Sequence, residues 1–155
     1  MKQILTNKDE FVGKKMNKII KIDDDYDKFK LYMFDDAVLI EKGDFYGDYS
    51  PIYKYEILRL AVYFEVHTDM LRFDYEDKNS YTSNAHEIYN ITSTEIRVTS
   101  FGKDLIANNI VTEHELMIYA NKKVAEEIER IKIKRQRDID ECIAILNKYG
   151  IVVNK

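Results

Sequence analysis

The stretch from Thr112 to Gly150 constrains the fold more than any other part of this 155-residue chain. Thr112 and Glu115 form a capping box, which is a sequence signature of a helix start. Neither glycine nor proline follows before Gly150, a residue type that commonly ends helices in the left-handed conformation. The pattern therefore predicts one long helix over about residues 112–150.

Apolar residues along this helix recur at a spacing that places them on one face, in a strip about 80° wide. The strip contains Met117, Val124, Ile128, Ile131, Ile139, Cys142, Leu146 and Tyr149. An unbroken helix here would be about 55 Å long, whereas a compact chain of this length is about 40 Å across. We therefore expect the helix to protrude or bend, and its strip to form the seam of a homodimer.

Arg135 interrupts the centre of this apolar strip, and three interpretations of it stay open. Its stem lies along apolar surface with the head in water, or the helix breaks into a hairpin near residues 134–138. Alternatively, Arg135 pairs with a carboxylate across the dimer seam, where it would fix the register. In the third interpretation, two copies of Arg135 meet around a bound anion.

The basic residues around Arg135 give two further expectations. Lys134 and Asp138 are spaced i, i+4, so part of the basic run is explained as a salt-bridged, solvent-facing helix surface. The alternative is a pocket for an anionic small molecule such as a nucleotide, in which basic groups bind phosphate and a ring stacks on the base. Its predicted ligand-binding residues are Arg130, Lys132, Arg135 and Arg137.

The first two-thirds of the chain are rich in alternating apolar and polar residues. Strands are predicted at 16–22, 29–34 and 37–42, after a helical turn capped by Thr6 or Asn7. The sequence thus predicts an α+β fold, with an antiparallel, meander-like sheet over about residues 16–101 and a long C-terminal amphipathic helix over about 113–149. We expect one domain over 1–155, with a β-rich part at 1–111 and the helix at 112–150.

Residues 53–66 fit two structures. Ser50 and Pro51 are typical of a helix cap and first helical position, but the alternation from Leu58 to Val66 favours a strand. Turns at 68–69 and 93–94 would then separate further short strands.

Composition bounds the possible partners. A net charge of −4 argues against direct nucleic-acid binding, and no apolar run approaches the roughly 20 residues of a membrane span. The single cysteine, Cys142, fits a small buried hydrophobe in a reducing, cytoplasmic setting. Lysine outnumbers arginine by 18 to 6, with one proline and no tryptophan, which is usage typical of AT-rich bacteria and their phages, so the compartment would be a host cytoplasm if the chain is phage-encoded.

Familiar catalytic signatures are absent from the sequence, including a Gly-rich phosphate loop, Gly-x-Ser-x-Gly, Cys-x-x-Cys and His-Glu-x-x-His. This favours a non-enzymatic protein without a cofactor. Glu65, His67 and Asp69 are spaced by two, so a continuous strand would place them on one face as a weak candidate for a metal site. The simpler explanation is the polar outer face of a strand.

Tyrosines and acidic residues together suggest a recognition surface, because tyrosine combines a large apolar ring with a polar tip. The predicted partner-binding residues are Asp23, Asp25, Asp44, Tyr46, Asp48, Tyr49 and Tyr53. An ordinary aromatic core is the alternative explanation. The leading hypothesis is a small binding protein that sequesters or inhibits a basic protein partner, as an accessory or counter-defence factor of a phage or mobile element would. The alternative is a dimeric binder of an anionic small molecule, and the third is a small metal-dependent enzyme.

Overall fold

A five-stranded sheet forms the centre of the N-terminal part of the chain, with strand order β1-β4-β3-β2 and β5 paired to β4. A computed structural model describes residues 2–23, 27–76 and 83–148. The strands are β1 Gln3–Leu5, β2 Met16–Asp23, β3 Lys28–Phe34, β4 Ala37–Gly43, β5 Tyr49–Pro51, β6 Val62–Glu76 and β7 Ser83–Val98. The helices are α1 Lys54–Ala61, α2 Ser100–Ala107 and α3 Glu113–Lys148, with a 3-10 turn at Lys8–Phe11. The fold is α+β, as the sequence predicted.

The predicted meander corresponds to β2, β3 and β4, which pair antiparallel in sequence order. The N-terminal turn is also confirmed, since the Asn7 side chain accepts the N–H groups of Asp9 and Glu10. Strand β1 was not predicted, and it pairs in parallel with β4. Its three residues are too few for a periodic pattern to show.

The prediction of a strand throughout residues 53–66 is wrong. Helix α1 occupies Lys54–Ala61, and the chain becomes extended only from Val62. Ile57 and Ala61, one helical turn apart, are completely buried in the core. Tertiary packing of this face outweighed the alternating pattern, which is a weaker local preference.

The sheet does not continue over the whole of residues 16–101. Within the part of the chain that the structure describes, strands β6 and β7 pair only with each other, as a separate two-stranded ribbon. The turns predicted at 68–69 and 93–94 are absent, because both positions lie inside continuous strands. Six residues separate β6 from β7, too few for a parallel crossover, so the ribbon is antiparallel.

Helix α3 is continuous over 36 residues, which confirms the predicted long helix and excludes the alternative of a break near 134–138. The Thr112 hydroxyl accepts the Glu115 N–H at 3.1 Å, which confirms Thr112 as the cap. The other half of the predicted capping box is not seen, because Glu115 Oε2 is buried without a hydrogen-bond partner among the described residues. Gly150 and Tyr149 lie outside the described residues. No helix in the described part of the chain is long and apolar enough to cross a membrane.

The chain divides into two compact units, one of Met1–Tyr63 with Ile96–Asn121 and one of Phe64–Glu95 with Lys122–Lys155. In the first unit, one face of β3 and β4 packs on α1, α2 and the start of α3. The core residues are Phe29, Leu31, Met33, Val38, Ile40, Ile52, Ile57, Ala61, Val62, Phe101, Leu105, Ile110, Val111, Leu116 and Ala120. Leu5, Phe34, Ala37 and Leu39 form a smaller cluster.

Gly102 lies where the start of α2 approaches the end of α1 closely. A Cβ at this position would lie 2.1 Å from the Ala61 carbonyl oxygen and 2.7 Å from Val98 Cγ1. The Thr99 N–H donates to the same carbonyl at 2.9 Å, and the Thr99 hydroxyl donates to the Leu60 carbonyl at 2.7 Å. These bonds hold the end of α1 against the start of α2, and only glycine fits between them.

Tyr32 and Glu41 form a polar pair on the face of the sheet opposite the main core, where Tyr32 packs against the smaller cluster. The Tyr32 hydroxyl donates to the Glu41 carboxylate, and this bond, with burial and the negative charge of Glu41, raises the pKa of Tyr32 to about 12. Glu41 is itself buried, with 2% of its surface exposed. A buried carboxylate needs such a donor.

We expect the stabilisation from Tyr32 to depend on pH above 10. The folded-state pKa of about 12 exceeds the ordinary value of 10, so the contribution is complete below pH 10 and is lost as pH rises towards 12. Urea unfolding of the wild type and Tyr32→Phe at pH 9 and pH 11.5 should show the difference in stability shrinking at the higher pH. In a Glu41→Gln background this pH dependence should become smaller, because the charge of Glu41 is gone while burial still raises the pKa of Tyr32; an unchanged dependence would contradict the assignment.

Candidate anion-binding pocket

A cavity of about 310 Å³ lies in the second unit, where α3 meets the β6–β7 ribbon. Its lining residues are Val66, Thr68, Tyr89, Glu127, Arg130, Ile131, Lys134 and Arg135. Residues 127, 130, 131, 134 and 135 follow the i, i+3, i+4 spacing that places side chains on one helical face. Val66 and Thr68 are two apart, so they share one face of β6. One face of α3 therefore forms one wall of the cavity, and one face of β6 forms another.

Arg135 is fixed from across the pocket. Its Nε donates to the Asn90 side-chain oxygen at 2.7 Å, which links the middle of α3 to β7. The side chain remains exposed rather than buried in an apolar seam. A guanidinium has five N–H donors, and the bond to Asn90 is its one hydrogen bond among the described residues. The remaining donors are therefore held in place and can bind a carboxylate or phosphate.

Arg130 and Lys134 are neutralised by carboxylates on their own helix. Arg130 donates twice to Glu127, at 2.9 Å and 2.5 Å, which lowers the pKa of Glu127 and raises that of Arg130. Lys134 Nζ lies 2.7 Å from the buried carboxylate of Asp138, so the predicted i, i+4 pair is confirmed. Among the residues that the structure describes, no ion pair with a carboxylate neutralises the third cationic group of the lining, Arg135.

Tyr89 supplies the aromatic wall. Its hydroxyl donates to Glu87 at 2.8 Å, and this bond and the charge of Glu87 raise the pKa of Tyr89. The Lys134 ammonium lies 5.4 Å from the centre of the ring. Tyr89 therefore stays neutral near pH 7, with a fixed ring beside cationic groups, and Val66 and Ile131 provide aliphatic surface.

The structure brings together part of the ligand-binding set predicted from sequence. Arg130 and Arg135 line the cavity, but Lys132 and Arg137 do not. Lys132 is two residues beyond Arg130, and a two-residue step turns a helix by about 200°. Lys132 therefore lies on another side of α3. Lys134 was predicted only as an ion-pair partner, and Tyr89 was not predicted at all. Residues 89 and 134 are far apart in the sequence, so no local pattern connects them.

The predicted dimer seam is mostly covered within a single chain. Val124, Ile131 and Cys142 are buried, Met117, Ile128, Ile139 and Leu146 are half-buried, and Arg135 is exposed. Burial raises the pKa of the Cys142 thiol, as do the charges of Asp138 and Glu141, which fits the predicted structural role. The strip therefore does not need a second copy to cover it. The homodimer stays a prediction, without this argument for it.

The predicted partner-binding residues are only partly assembled. Asp44, Tyr46 and Asp48 share the loop between β4 and β5, where the Asp44 carboxylate accepts the N–H groups of Tyr46 and Asp48, each at 2.9 Å. Tyr49 instead packs against the Lys30 ammonium, 4.0 Å from the ring centre. Asp23 ends β2, Tyr53 precedes α1, and Asp25 lies outside the described residues.

The structure replaces one residue of the weak candidate metal site. Glu65 and His67 are neighbours as predicted, but the third ligand atom within 4.8 Å comes from Glu95 on β7, not from Asp69. Successive same-face residues on a strand lie about 6.6 Å apart, whereas directly opposed residues on paired strands lie about 5 Å apart. A cross-strand partner is therefore closer than a residue two positions along.

No protein family, no curated protein and no solved structure matches the chain.

Proposed function

We propose that this is a small, non-enzymatic binding protein that captures an anionic organic molecule in the pocket between α3 and the ribbon. The observation that carries the proposal is Arg135, fixed by Asn90 at 2.7 Å and placed with Tyr89 in the lining of one cavity. A volume of about 310 Å³ is at the lower end of the range for small-molecule sites. The ligand class is a planar ring carrying a phosphate or carboxylate, for which a nucleoside monophosphate is a suitable probe.

Binding without catalysis is favoured by the state of the polar groups. The Lys134 ammonium is paired with Asp138, and the raised pKa of Tyr89 keeps its phenol protonated near neutral pH, so that it does not accept a proton. An arginine guanidinium is not deprotonated in proteins and does not serve as a general base. These groups are suited to holding an anion rather than to exchanging protons with it.

Two measurements test the proposal. Mass spectrometry of small molecules released from the purified protein should find a co-purifying anion. Calorimetry with AMP, GMP, CMP, UMP, inorganic phosphate and adenosine should show one site per chain, with adenosine at least about tenfold weaker than AMP because it lacks the charge-assisted bonds. Absence of both a released anion and any mononucleotide binding at millimolar concentration would refute the proposal. Light scattering on the same sample tests the dimer.

The sequestering of a basic protein partner is a second candidate function, supported by one observation. Phe45 and Tyr46, in the loop between β4 and β5, are 96% and 87% exposed, with their rings edge to face at 5.6 Å. Exposed aromatic side chains are frequent anchors in protein interfaces, and Asp44 and Asp48 flank them. Replacing both aromatics with serine would leave mononucleotide binding unchanged and would abolish association with a protein partner.

A further inference from the structure

Two carboxylates and an imidazole converge on the exposed face of the ribbon. Glu65 and His67 are on β6 and Glu95 is on β7, all within the second unit. His67 Nε2 lies 3.4 Å from Glu95 Oε2, and His67 Nδ1 lies 3.9 Å from Glu65 Oε1. Because side chains alternate along a strand, this face of β6 is opposite to that of Val66 and Thr68. The cluster is therefore separate from the pocket.

The spacing of these atoms suits a zinc ion. Zinc binds histidine nitrogen and carboxylate oxygen at about 2.0–2.2 Å in a tetrahedral arrangement, so adjacent ligand atoms lie about 3.4 Å apart. The distance between His67 Nε2 and Glu95 Oε2 has this value. All three ligand atoms lie within 4.8 Å of one another. One ion binds only one ring nitrogen, so Glu65, whose carboxylate lies 3.9 Å from Nδ1, would turn towards Nε2, and its exposed side chain is able to rotate.

The backbone around His67 is also held from the opposite strand. The Thr92 hydroxyl of β7 donates to the His67 carbonyl oxygen at 3.2 Å. This contact ties the residue that carries the imidazole to the strand that carries Glu95. The ligands thus come from paired strands whose separation is fixed before any ion binds.

We propose that Glu65, His67 and Glu95 bind one Zn²⁺, with the fourth coordination position open. The mixed nitrogen and oxygen donors favour zinc over Ca²⁺ and Mg²⁺, which prefer oxygen-only sites. The bound ion would bridge β6 and β7. Zinc binding should therefore stabilise the ribbon as well as occupy the site.

The test uses untagged, chelator-treated full-length protein and zinc alone. We expect calorimetry and elemental analysis to give one Zn²⁺ per chain and zinc to raise the melting temperature. Glu95→Gln and His67→Asn should each weaken binding by more than about 100-fold, since loss of only an outer-shell partner already costs about 10- to 100-fold. Both variants should lose the zinc-dependent rise in melting temperature.

Asp69→Asn is the matched control, because it removes a neighbouring carboxylate that lies outside the three-residue cluster. It should bind zinc within about twofold of the wild type, as should Cys142→Ser and His114→Asn, if the cluster alone determines affinity. Circular dichroism without zinc verifies that every variant is folded. The proposal is overturned if the wild type binds no stoichiometric zinc, if Glu95→Gln binds like the wild type, or if Asp69→Asn loses as much affinity as Glu95→Gln.

Discussion

Replacing Gly102 with alanine is expected to destabilise the protein by about 3 kcal/mol or more, at or beyond the upper end of ordinary overpacking effects. The added Cβ would lie 2.1 Å from the Ala61 carbonyl oxygen, which is backbone and cannot rotate away. Relief requires α1 and α2 to separate, which would stretch the bonds that Thr99 makes to Ala61 and Leu60. Urea unfolding followed by circular dichroism measures the loss as a lower midpoint.

Lys103→Ala is the control for this experiment, because it introduces alanine at the next position of α2, where the side chain is exposed. Its effect should stay within about 0.5 kcal/mol, as is usual for surface substitutions. If Gly102→Ala is no more destabilising than Lys103→Ala, then α1 and α2 do not approach as closely as described.

Replacing Arg135 with methionine is expected to weaken mononucleotide binding by about 10- to 100-fold. Methionine keeps much of the aliphatic stem but removes the charge and every donor, and a hydrogen bond to a charged group contributes about 1.5–3 kcal/mol. Stability should change little, since the side chain is exposed. Calorimetry with AMP at fixed ionic strength measures the affinity.

Arg137→Met is the matched control for Arg135→Met, because it makes the same chemical change on the same helix outside the pocket lining. It should retain nearly wild-type affinity. Equal losses in the two variants would show that the general positive charge of α3 attracts the ligand, and would contradict a specific role for Arg135. Asn90→Ala should give a smaller loss than Arg135→Met, because it frees the guanidinium without removing it.

Local periodicity was sufficient to predict α3, its cap at Thr112 and the meander of β2 to β4. These elements have long patterns whose period matches their structure. Helix α1 was mistaken for a strand because its sequence also alternates, and the burial of Ile57 and Ala61 that decides the structure depends on distant residues. The separate ribbon was missed for a similar reason, since strand pairing is not encoded in either strand alone.

The sequence identified the basic side of the pocket but not its opposite wall. Arg135 was predicted because its charge interrupts the apolar strip, and Arg130 because it belongs to the basic run around Arg135. Asn90 and Tyr89 carry no such local signal, and they reach the site only because β7 lies against α3 within their unit. Glu95 replaced Asp69 for the same reason, because cross-strand proximity cannot be read from spacing along one strand.

The register of β6 determines which of its residues belong to each of the two proposed sites. Val66 and Thr68 line the pocket, whereas Glu65 and His67 belong to the cluster on the other face. A slip of one residue would exchange the two faces, turning Glu65 and His67 towards Arg135 and turning Val66 and Thr68 towards solvent. Inserting or deleting one residue near the start of β6 would therefore remove both sites together, although it alters none of the residues that form them.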